Sequence, residues 1–174
     1  MIQLKISNHP LDEIPGQLAL VTAFEDVRPL KGRAGLVDWR LNGRLSKFIR
    51  DSKFQGTKGE ALLMPTRGRI DSSELLLLGV GPKTTIRDSE IPHLLTLIVE
   101  KVLHKNAPPF RFPSPTSSPA CSNGAMPFAL FVSMISGREE DLSVTLVEDG
   151  AFVEDAKKRH MDFAYDVSVH YDLM

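Results

Sequence analysis

A chain of 174 residues, 42% hydrophobic and 25% charged, has the make-up of one domain that buries a core, which excludes disordered and fibrous classes. The single cysteine, Cys121, leaves no intramolecular disulfide, and no charged-then-apolar leader opens the sequence, so a reducing, cytoplasmic compartment is expected. Apolar runs such as residues 75–78 are far too short to cross a bilayer, and no membrane is expected among its partners.

The net charge of −1 hides an asymmetry. Positions 28–69 carry eleven Lys or Arg against three acids, whereas positions 139–174 carry ten acids against three bases. Such opposed regions suit a polyanion-binding face, contact between protomers or parts of one fold, or a solvated surface of locally uneven charge.

In chain order, residues 2–6 alternate apolar and polar and residues 18–24 form a mostly apolar run, predicting two strands, the second central. From 36 to 50, Val37, Leu41, Leu45, Phe48 and Ile49 recur at helical spacing within about 120° of a wheel, as a helix lying on a sheet requires. Residues 61–65 and 74–80 read as further strands, the second apolar enough for burial on both faces. Asp88 or Ser89 is placed to cap a helix whose apolar positions run Ile91, Leu94, Leu95, Ile98, Val99, Val102, with Pro92 tolerated in its first turn.

Residues 106–127 hold six prolines and four serines without periodicity, the pattern of an extended or mobile loop. Residues 128–135 and 142–147 are strand-like and placed to pair as a hairpin. Asp149 is positioned to cap a short helix ending at Lys157, Lys158 and Arg159, where cations suit the helix dipole, and residues 164–169 close as a strand. The alternation of strands and helices predicts one α/β domain over residues 1–174, a three-layer α/β/α sandwich on a mixed central sheet.

Residues 24–46 lead from a strand through a turn punctuated by Pro29, Gly32 and Gly35 into a helix carrying Asp38, Trp39, Arg40, Asn42 and Gly43. Gly59-Glu60, Leu62-Leu63-Met64-Pro65-Thr66, Gly68-Arg69 and Leu75-Leu76-Leu77-Leu78-Gly79-Val80-Gly81 follow. In this order, from about residue 18 to 81 and fading after Asp88, these residues resemble the N-terminal domain of the leucyl aminopeptidase (cytosol aminopeptidase) family. The resemblance implies a macro-domain-like fold. The family's catalytic half is a separate domain with two metal ions in a Gly-Lys-Gly…Phe-Asp…Gly-Gly segment and an Asn-Thr-Asp-Ala-Glu-Gly-Arg segment, neither of which occurs in this sequence. Two-metal hydrolysis needs ligands converging on ions about 3.5–4 Å apart. The resemblance therefore implies a non-catalytic domain, with no catalytic residue, metal or cofactor, that works by assembly with itself or with an aminopeptidase-type partner.

Lys31, Gly32, Arg33 and Gly35 stand just before the expected helix, where free N–H groups and the dipole favour an anion. Macro domains hold the diphosphate of ADP-ribose with a glycine-rich turn, so the alternative to assembly is a module for a nucleotide-type or polyanionic ligand, nucleic acid included. Only two glycines serve here, and residues 21–24 lack the asparagine motif such domains carry. A turn that serves shape alone ranks ahead. Residues 79–84 depart from a phosphate loop at Pro82 and Leu77, which makes them a strand-ending turn. His9, His93, His104, His160 and His170 show no metal-ligand spacing.

Trp39 points about 160° or more away from the apolar stripe on the same wheel. Arg40 and Lys47 flank it and Arg44 borders the stripe, which makes Trp39, Arg40 and Arg44 the candidate interface. A loop of the same chain over the ring is the competing expectation.

Overall fold

The computed structural model describes residues 2–103, 110–113, 133–135, 142–148, 150–158 and 167–172. Seven strands form one sheet: β1 (Ile2–Ser7), β2 (Gly16–Ala23), β3 (Ala61–Pro65), β4 (Ser72–Gly79), β5 (Phe110–Pro113), β6 (Leu142–Val147) and β7 (Val167–Asp172). Their order across the sheet is β3-β4-β2-β5-β6-β1-β7. Only the β3–β4 pair is antiparallel; every other neighbour pair is parallel. The sheet is mixed, as expected.

Strand β2 has apolar side chains on both faces, and each face has its own core. Leu18 and Leu20 join Leu4, Ile6, Leu76, Leu78, Val144 and Leu146 beneath helix α3 (Ile91–Leu103) and Val153 of helix α4 (Gly150–Lys158). Ala19, Val21 and Ala23 join Leu75, Leu77 and Met64 on the other side, against helices α1 (Gly32–Arg40) and α2 (Arg44–Arg50). Parallel strands covered by crossover helices read as continuous apolar runs for this reason. The result is the three-layer α/β/α sandwich.

Four expectations need correction. The helix over 36–50 is two helices: it starts at Gly32, and Asn42 (φ +55°) and Gly43 (φ +72°) break it, since an α-helix cannot continue through left-handed residues. The Pro/Ser-rich segment contains strand β5, paired in parallel with β2 and β6. Residues 133–135 are helical rather than the end of a strand. The hairpin fails because both edges of β6 are occupied in parallel, by β5 and β1. Residues 128–132, 164–166 and Asp149, along with the rest of 106–127 and with Cys121, His104 and His160, lie outside the described residues.

The end of β4 meets the loop before β3 at a very close backbone approach. A Cβ added at Gly79 would stand 2.2 Å from the Thr57 carbonyl oxygen and 2.7 Å from the Gly56 carbonyl carbon, so no side chain fits. Gly56 itself has φ +90°, and its Cβ would meet the Phe24 carbonyl oxygen at 2.8 Å. Gly79→Ala is expected to destabilise the fold by about 1–3 kcal/mol through overpacking against backbone that cannot yield. Urea unfolding of the two proteins measures it.

Candidate functional site

In an open parallel sheet the crevice for ligands lies at the carboxyl ends of neighbouring strands whose connections leave toward opposite faces. Here β2 leads to α1 on one face and β4 to α3 on the other, so the divergence lies between Phe24 and Val80. The chain's own groups fill it. Glu60 Oε2 accepts the backbone N–H groups of Gln55, Gly56 and Thr57 at 2.9, 2.8 and 3.2 Å, and the Thr57 hydroxyl at 3.2 Å. Asp26 accepts the N–H of Lys83 at 2.7 Å and the Thr84 N–H and hydroxyl at 3.4 Å. The Arg28 guanidinium donates to the carbonyls of Phe24, Val27 and Gln55, tying the first loop to the second.

Successive N–H groups converging on one point make an anion cradle. Both cradles hold a carboxylate from the same chain. Hydrogen bonding by the Lys83 N–H holds the Asp26 carboxyl below its ordinary value. Partial burial works to raise the Glu60 carboxyl, but the donors of Gln55, Gly56 and Thr57 outweigh it and hold it below 4.5. Beside these loops lies an open cleft of about 250 Å³ between Val80, Pro82, Ile86 and Leu94, spanned by the exposed Lys58–Glu90 ion pair at 2.8 Å.

The second concentration of unusual features is the α1–α2 joint. Asp38, buried at the end of α1, reaches across the turn and caps α2: one carboxylate oxygen accepts the N–H groups of Leu45 at 2.8 Å and Ser46 at 3.1 Å, and the other the Ser46 hydroxyl. Trp39 faces outward and is 70% exposed; among the described residues no loop covers it. The Arg40 guanidinium carbon lies 5.2 Å from the centroid of that ring. Arg40 Nε donates to Asp12 Oδ2 at 2.6 Å, and its NH2 group lies 3.7 Å from Glu13 Oε1.

Residues 20–107, 88 of the 174, match the N-terminal domain of the cytosol aminopeptidase family. The chain belongs to that family. A probable cytosol aminopeptidase of Alkaliphilus oremlandii is 24% identical over 100 residues, 58% of this chain and 20% of its own length, so the chain spans about a fifth of such relatives. Tomato leucine aminopeptidase, in a mutant form, superposes with a TM-score of 0.61 at 17% identity, over 91% of this chain and 35% of that one. A mutant macrodomain of Oceanobacillus iheyensis with ADPR superposes with a TM-score of 0.63 at 15% identity, over 88% and 91% of the two chains. The fold is macro-domain-like, as the family resemblance implied.

The residues on which the family resemblance was read have visible structural duties. Asp38, Asn42 and Gly43 build the joint between helices, and Gly59-Glu60 fills the loop cradle. Lys31 is the exposed N-cap of α1 without a side-chain cap, Gly32 opens the helix at φ +58°, and Arg33 is half-buried. Gly35 lies inside the first turn, donates to the Lys31 carbonyl, and would clash with the Leu30 carbonyl if it carried a Cβ. Gly32 and Gly35 thus belong to the helix itself rather than to a turn before it. Arg44 begins α2 and is half-buried. Residues 79–84 end β4 and enter a short 3₁₀ turn over Lys83–Thr85.

Sequence reasoning passed over Asp12 and Asp26, and it quoted Glu60 without seeing its role in the cradle. The only available signal was each acid's place beside a glycine- or proline-bearing turn. Among the described residues no group of three His, Cys, Asp or Glu side chains could hold a metal ion, and no helix is long and apolar enough to cross a membrane.

Because the folded Glu60 carboxyl titrates below 4.5, its stabilisation is present above that pH and is lost as pH falls through the lower folded value. Glu60→Gln is therefore expected to flatten the slope of stability against pH in the acid range. Urea midpoints taken between about pH 6 and pH 3 test this, and an unchanged slope would exclude the cradle as its source.

Proposed function

We propose that this chain is a non-catalytic module of the cytosol aminopeptidase family, working in the cytoplasm by assembly or protein interaction through the outer face of α1. The observation that carries this is Trp39 at 70% exposure, with Leu36 one turn earlier at 36%. Positions i and i+3 share a helix face, so the two form one apolar strip. Tryptophan and arginine are the side chains most enriched at interface hot spots. Arg40, its guanidinium carbon 5.2 Å from the ring centroid, brings a partly exposed cation to the strip, which favours a partner face bearing carboxylates over the same face of a second copy. The occupant is a different face of another protomer, or an aminopeptidase-type protein.

A second reading is favoured by the start of α1, which has neither a side-chain cap nor an acid in its first turn, with Lys31 and Arg33 beside it. With the neighbouring cradles filled, this is where a nucleotide-type or polyanionic ligand would be held. Titration with ADP-ribose and with single-stranded oligonucleotide at two salt concentrations separates the readings, since polyanion contact weakens as salt rises.

Trp39→Ala is expected to lower the mass of the assembly in light scattering while circular dichroism keeps its shape; an assembly of unchanged mass would remove α1 as the contact. The purified chain is also expected to release no leucine from a chromogenic amide with Mn²⁺ or Zn²⁺ present. Chelator-sensitive turnover that survives further purification would overturn the non-catalytic reading.

A further inference from the structure

We infer that Asp12 is the positioning residue of the Trp39 surface and acts on the indole through Arg40. Asp12 lies on the crossover between β1 and β2 and is 4% exposed, so its carboxylate is held out of water. Oδ2 takes the Arg40 Nε–H at 2.6 Å, and Oδ1 is buried with no hydrogen-bond partner among the described residues. A buried carboxylate with one free oxygen depends on its single cation, and the pairing fixes the guanidinium in plane and rotation. That guanidinium lies 5.2 Å from the Trp39 centroid, within cation–π range, and exposed Glu13 lies 3.7 Å from its far edge. An exposed indole on a helix would otherwise sample several rotamers. Here one is selected from the crossover before β2, through Arg40.

The loop does not depend on this carboxylate for its own place. Leu11 and Ile14 are buried in the core beneath α1, and the Asp12 carbonyl accepts the Asp71 N–H at 2.9 Å. Changing the Asp12 side chain therefore leaves the crossover anchored and releases Arg40 alone. For assembly, the consequence rests on the reading of Trp39 as a contact residue: a pre-set indole binds without first losing rotamer freedom.

Trp39 is the only tryptophan of the sequence, so its fluorescence reports this position without interference. In the full chain, Asp12→Ala is expected to speed water exchange of the Arg40 Nε–H roughly tenfold, the loss of one buried charge-assisted bond. It should also add a fast local component to the Trp39 anisotropy decay while far-UV circular dichroism stays that of the parent. Asp12→Asn, which keeps the shape and one acceptor, should fall between the two and serves as the deciding variant if the alanine form does not fold. Anisotropy identical to the parent in the folded variant overturns the inference. The two readings fail separately. A freed indole in Asp12→Ala together with intact assembly mass in Trp39→Ala keeps the positioning role and removes the interface. Lost mass in Trp39→Ala with an unmoved indole in Asp12→Ala does the reverse.

Discussion

Everything in this fold follows from β2 being apolar on both faces. Leu18, Leu20, Ala19 and Val21 are all at 0% exposure, and such a strand is stable only between two covering layers. Its parallel neighbours β4 and β5 must then be reached by crossovers, and covering both faces sends some of those crossovers to each side. The separation of strand ends between β2 and β4 is the geometric price of that arrangement.

What fills such a gap decides whether it is a site. In this chain three loops meet there, and their N–H groups find carboxylates from their own sequence, Glu60 and Asp26, while Arg28 takes up carbonyls. Most of these donors are exposed to water and all are already paired with acids of the same chain, so neither cradle calls for a ligand. An entering diphosphate would have to displace a carboxylate of like charge. The same backbone proximity that excludes a Cβ at Gly79 makes the loop cluster stiff.

Most elements were legible because their periodicities differ. The strands at 61–65 and 142–147 were bounded correctly, and the α3 stripe follows a clean helical repeat. The break at Asn42–Gly43 was hidden because α1 and α2 both bury apolar residues against one sheet face, which keeps Val37, Leu41 and Leu45 in apparent register across two axes. Strand β5 was hidden by Pro108, Pro109 and Pro113, residues that ordinarily demote a strand. Parallel pairing of β6 with β1, at the opposite end of the sequence, is a nonlocal choice that no local pattern announces. The outward direction of Trp39 was legible from its angle on the wheel. Asp12 was not, because its partner is distant in sequence and only the fold brings them together.

The polar contacts around α1 differ greatly in weight, and burial sorts them. Arg50–Asp51 at 4.0 Å and Arg40–Glu13 at 3.7 Å are exposed and long, so solvent screens them and they constrain little. Asp38 and Asp12 are each more than nine-tenths buried, and the two solve the same difficulty differently. Asp38 spends both oxygens on the first turn of α2, a cap of a kind whose removal costs about 0.5–2 kcal/mol, and so fixes one helix against the other. Asp12 spends one oxygen on a side chain that continues outward to an exposed aromatic ring. The first carboxylate ties one helix to the other, and the second ties the crossover before β2 to the cation beside the exposed ring.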